Sequence, residues 1–111
     1  MRFVEEHGHR FEKWEWRFSD PENRAAFSTT RVVRENYPVL LVSHDENGDW
    51  QFLCDTTTDT KHLLVVCLAC AFQRDRTIGE LADLPTGWMA TREYVGAPWY
   101  REKSPPENDQ G

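Results

Sequence analysis

The chain has 111 residues, 39% of them hydrophobic and 29% charged, and a net charge of −6. That length suits one domain with a real core, and five Trp, six Phe and three Tyr supply bulky side chains to fill it. The acidic balance excludes a nucleic-acid binder, which needs a basic footprint, and the longest apolar run, residues 63–72, is too short to cross a bilayer.

The charge is unevenly placed. Acidic and basic side chains cancel over residues 1–35, whereas residues 36–73 carry Asp45, Glu46, Asp49, Asp55 and Asp59 against Lys61 alone. The first ten residues hold Glu5, Glu6, His7 and His9 and no apolar signal-peptide core, so the expected location is cytoplasmic. Three cysteines are few and odd in number, which fits thiols in a reducing compartment better than a disulfide framework. His7-Gly8-His9 is too sparse a pair for a metal centre and reads as a solvated terminus.

In chain order, Trp14, Trp16 and Phe18 alternate with Lys13, Glu15 and Arg17, the pattern of a half-buried strand over residues 11–18. Ser19 to Asn23 breaks it. A helix is expected between Arg24 and Glu35, with Ser28, Thr29 and Thr30 offering capping oxygens and Val32 and Val33 an apolar patch. It cannot pass Tyr37-Pro38, because a residue before proline is pushed out of the α region.

Residues 38–55 give the strongest local signal. Val39 to Val42 is apolar on both faces and predicts a central strand covered on both sides; Trp50 to Cys54 predicts its partner. Asn47-Gly48 between them predicts a type I′ hairpin turn, whose two central residues need φ > 0. Residues 55–60 read as a polar loop. Leu63 to Phe72 contains no polar residue and reads as a buried helix, with extended chain over 63–66 as the alternative. Thr77-Ile78-Gly79-Glu80 is a capping-box pattern that should start a short helix ending by Leu84-Pro85. Trp88 to Val95 alternates as a last strand. The expected fold is therefore α+β: one domain over 1–103, an antiparallel sheet of about four strands with two or three helices packed on it, and a disordered tail over 104–111.

Cys67-Leu68-Ala69-Cys70 is a CxxC motif. A redox role needs its first cysteine at a helix N-terminus, and here the pair lies inside an apolar run. A metal role would add Cys54 and His62, giving spacings that match no common zinc motif. Buried, inert core cysteines are the plainer expectation. Residues 45–49 lack the ligand spacing of a calcium loop, Ser43 has no nucleophile elbow, and His44 and Asp45, as strand neighbours, should point to opposite faces. No catalytic residue, cofactor site or metal site is expected, and the Trp residues are assigned to the core.

The stretch Pro38 to Asp45 followed by Gly48 to Cys54, together with Leu81-Ala82-Asp83-Leu84-Pro85, Gly87-Trp88, Ala90, Arg92 and Pro98-Trp99, resembles a family of small uncharacterised bacterial proteins. These segments cover about half the chain in the same order. The family is remotely similar to a domain of unknown function linked by genome context to immunity proteins of polymorphic toxin systems. It supplies no catalytic residues. One departure is visible: in the family the hairpin tends to end Cys-Gly, and here Asp55 follows Cys54.

Two functions follow as expectations. One is a non-enzymatic, immunity-like protein-binding module that presents Asp45, Glu46, Asp49, Asp55 and Asp59 to a basic protein. The other is a small metal or redox protein built on Cys54, His62, Cys67 and Cys70. A segment apolar all round in a chain of this size also suggests a homodimer.

Overall fold

A computed structural model describes residues 2–4, 13–54 and 63–104 of the chain. The hairpin forms as the apolar pattern requires. Strand β3 (Leu41–His44) pairs antiparallel with β4 (Trp50–Leu53), Val42 opposite Phe52 and His44 opposite Trp50. Its turn differs from the expectation. Gly48 has φ 88°, but Asn47 does not adopt positive φ. The Gly48 N–H donates to the Asp45 carbonyl and the Asp45 N–H to the Asp49 carbonyl, which makes a type I turn closed by a glycine bulge. The Asp45 carboxylate explains the choice: its Oδ1 accepts from the N–H groups of Asn47 and Asp49 and so stabilises the longer loop.

The class is α+β, but the sheet is larger than expected and mixed. Its seven strands run in the order β1 (Arg2–Val4), β5 (Leu63–Cys67), β2 (Ala25–Thr29), β4, β3, β6 (Trp88–Thr91) and β7 (Tyr100–Lys103). The pairs β1–β5 and β2–β4 are parallel and the other four antiparallel. The β2–β4 ladder has a single bridge, Phe27 opposite Gln51, reinforced by the Ser28 hydroxyl donating to the Phe52 carbonyl at 2.8 Å.

Four expected elements are corrected. Lys13–Glu15 is a 3₁₀ turn rather than a strand; Trp16 and Phe18 instead ring the Phe72 side chain, and Trp14 is 80% exposed. The segment 24–35 opens as strand β2, and helix α1 occupies only Thr30–Glu35. Thr29 caps it, its side chain accepting from the Val32 N–H, and Asn36 ends it at φ 59°. Leu63–Cys67 is a strand, as the alternative reading allowed, and helix α2 covers Leu68–Arg74. The 3₁₀ helix Arg76–Leu81 is capped by Asp75 rather than by Thr77. Ser104, the first residue of the expected tail, donates its N–H to the Gly87 carbonyl, and residues 105–111 lie outside the described residues.

One cluster forms the main core. It joins Ala26, Val42, Trp50, Phe52, Val66 and Ala90 from one face of the sheet to Val32 of α1, Leu68 and Phe72 of α2, and Ile78 and Leu81 of the 3₁₀ helix. Arg92, just past β6, is buried at the edge of this core. Its guanidinium donates to the Val39 carbonyl twice, to the Thr77 hydroxyl and to the Asp75 carboxylate at 2.8 Å, and lies over the Trp99 ring. No helix among the described residues is long and apolar enough to cross a membrane.

Candidate functional site

The acidic hairpin tip comes out less available than its sequence implies. Asp45 spends its carboxylate on the turn amides. Asp49 is paired with Arg24, whose Nη2 reaches the Asp49 Oδ1 at 3.1 Å and the Gly48 carbonyl at 3.0 Å. The same arginine lies 3.9 Å from Asp20, which accepts from the Trp50 indole N–H. Of the three tip carboxylates only Glu46 stands exposed. Asp55 and Asp59, the other two expected contact residues, lie outside the described residues, as do His7, His9 and His62. The tip is therefore a folded corner in which Asp49 is paired with Arg24 and Asp45 is held by the turn amides. Sequence reading missed Arg24, which lies 25 residues from Asp49, because no local pattern links them.

His44 and Asp45 make no acid–base pair. The His44 Nδ1 is 2.7 Å from the Leu84 carbonyl, a bond in which the ring nitrogen donates, and the imidazole stacks on Trp50 at 3.8 Å between centroids. Asp83, nearby in sequence, receives the Arg101 guanidinium at 2.9 Å. That hydrogen bond first, and the charge behind it second, hold the Asp83 carboxyl below its ordinary value of 3.8. A folded pKa lowered in this way adds stability above the unfolded value and loses it as pH falls through the folded one. Asp83 is well exposed, so the contribution is small. Asp83→Asn should flatten the acid side of a plot of Tm against pH, below about pH 4, and leave the neutral side unchanged; thermal melts across that range check it.

The cysteines separate. None is in a disulfide and all three are buried. Cys54 belongs to the main core, whereas Cys67 and Cys70 form a small cluster of their own with Ala69, under Trp16. Register sets the distance. Cys67 lies opposite Ala25 at one end of β2, and Cys54 follows Leu53 beyond the other end, about five residues or ~17 Å further along. Cys54 thus cannot share a metal with the CxxC pair. No group of three or more His, Cys, Asp or Glu placed to hold a metal ion occurs among the described residues. The pair itself is not in mid-helix. Cys67 ends β5 and caps α2, and Cys70 sits one turn on. The cavity between α1 and the sheet, lined by Val32, Val39, Phe52 and Cys70, holds about 20 Å³, room for no more than a water.

The remaining surface of interest is the second face of the sheet. Pairing registers place Phe27, Leu41, Leu53, Leu63, Val65 and Met89 on it. None of them belongs to the main core, to which α1, α2 and the 3₁₀ helix give their large buried apolar side chains. All are half-buried except Leu53, which is buried. Among the described residues, the expected cover on both sides of β3 is thus complete on one face only. At the margin of this face β7 is exposed along its whole length, Tyr100 with 64% of its surface.

No family model, curated protein or solved structure matches this chain.

Proposed function

We propose that the chain is a non-enzymatic protein-binding module, of the immunity-like kind the sequence resemblance implies. The supporting observation is the half-buried apolar face formed by Phe27, Leu41, Val65 and Met89. An apolar sheet face left outside the core favours a partner, since removing such area from water stabilises a complex by roughly 25 cal/mol per Å² before the entropic costs of association. The exposed Tyr100, and Tyr94 and Val95 in the turn before β7, add residue types that anchor interfaces.

The partner is a basic protein with an apolar patch. The net charge of −6 steers it, and Glu102, which shares the second face with Met89 and Tyr100, gives that face an acidic margin. The hairpin tip is the lesser contributor, because Arg24 already occupies Asp49.

Co-expression with the product of the adjacent reading frame tests the proposal, read by co-purification and by growth where that product is toxic. Met89→Glu and Leu41→Glu should abolish the complex while circular dichroism stays unchanged. Replacing Asp45, Glu46 and Asp49 by Asn, Gln and Asn should only slow association, by an amount that shrinks with added salt. A complex indifferent to Met89→Glu and Leu41→Glu sinks the proposal. Light scattering at micromolar concentration settles whether a second copy takes the face instead: a mass near 13.1 kDa leaves it open, and twice that mass assigns it to a homodimer.

A further inference from the structure

The strand-to-helix junction at Cys67 has a specific chemistry. The first amides of α2 are consumed in order. Leu68 N–H donates to the Arg24 carbonyl at 2.8 Å and Ala69 N–H to the Glu22 carbonyl at 3.0 Å. Cys70 N–H donates to the Cys67 sulfur at 3.2 Å. The two sulfurs lie against each other, 2.7 Å apart, inside van der Waals contact and with nothing between them. Cys67 and Cys70 are 7% and 5% exposed, and the third cysteine is remote, in the other cluster.

We propose that Cys67 and Cys70 are a thiol–disulfide switch closed by a low-molecular-weight disulfide. Cys67 is the attacking group: it is the first cysteine of the motif, it caps α2, and its sulfur accepts the Cys70 N–H. Its thiolate attacks one sulfur of the reagent, forming a mixed disulfide and releasing half the reagent as a thiol. Cys70 then gives up its proton to solvent and attacks the Cys67 sulfur, expelling the second half, which takes up a proton. The net change oxidises two protein thiols to one disulfide and reduces one reagent disulfide to two thiols. Burial of both sulfurs limits the reagent to a small molecule.

A second role for Cys67, as the cap of α2, is separable from this one. Cys67→Ser keeps an oxygen acceptor for the Cys70 amide and preserves a cap without preserving the dithiol.

The test uses the full chain, reduced and then equilibrated with oxidised glutathione at neutral pH. The sample is quenched in acid, alkylated in denaturant and mapped by mass spectrometry. Two of the three thiols should escape alkylation, linked within the Cys67–Cys70 peptide, with Cys54 alkylated and the far-ultraviolet spectrum unchanged. Dithiothreitol should restore all three. Cys70→Ser should trap glutathione on Cys67, and Cys67→Ser should fold and form no intramolecular disulfide. Three alkylated thiols after equilibration with excess reagent would overturn the proposal. So would a bridge that involves Cys54 or joins two chains. The wild-type map decides the matter even where a cysteine variant fails to fold.

Discussion

Arg92→Met should lower the unfolding free energy by about 3–5 kcal/mol, the cost of breaking a buried ion pair from one side. The side chain of Arg92 is 1% exposed, and every polar contact it makes is internal. Its removal leaves the Val39 carbonyl without two donors and the Asp75 carboxylate, only 15% exposed, without its counter-charge. Asp75 also caps the 3₁₀ helix through the Thr77 N–H, so the loss reaches the element that carries Ile78 and Leu81 into the core. Urea denaturation checks the size. The double variant Arg92→Met, Asp75→Leu should recover part of the loss, since the penalty lies chiefly in the stranded carboxylate. A double variant no more stable than the single one would mean that packing against Trp99, rather than charge, carries the effect.

Trp50→Ala should cost a comparable ~3–5 kcal/mol, the range for truncating a large buried aromatic. Trp50 is 2% exposed and is held from several sides: His44 stacks on it, Phe18 meets it edge-on at 5.2 Å, and Phe52 lies parallel at 6.1 Å. Its indole N–H donates to Asp20 at 2.8 Å. Trp50→Phe keeps most of the aromatic contact and strands that acceptor, so it should cost about 1–3 kcal/mol. Differential denaturation of the two variants separates packing from hydrogen bonding. Equal losses would show that the indole bond, not the ring, is what the site requires.

Trp50 sits where sequence reading worked best. The alternation of Trp50, Phe52 and Cys54 against the apolar run at Val39–Val42 was legible because each side chain reports its own face. Leu63–Phe72 was not, because an unbroken apolar run hides the switch from period 2 to period 3.6 that occurs at Cys67. That hidden switch is also why the CxxC pair read as lying inside one apolar run rather than at a strand-to-helix junction. Strand β2 was missed because it buries Ser28 and Thr29, polar residues whose hydroxyls are satisfied by the Phe52 carbonyl and by the cap of α1. Strand β7 was missed because all four of its residues are exposed and show no apolar alternation. The apparent strand at Trp14–Phe18 is a period-2 coincidence: Trp16 and Phe18 meet at 5.2 Å and pack around Phe72. The exposed position of Glu46 was foreseeable from turn chemistry, whereas the neutralisation of Asp49 by Arg24 needed the tertiary structure.

The single bridge between Phe27 and Gln51 implies that the sheet can open as two bodies. On one side β1, β5 and β2 are joined by longer ladders; on the other β4, β3, β6 and β7 form a continuous antiparallel set. Partial unfolding should follow that line, because few main-chain bonds have to break along it. Native-state hydrogen exchange in low denaturant should resolve two groups of amides with different opening free energies: Ala26, Ser28, Leu64 and Val66 in one, Val42, Ser43, Phe52 and Ala90 in the other. A single common opening energy would mean that the shared side-chain core welds the two halves into one cooperative unit.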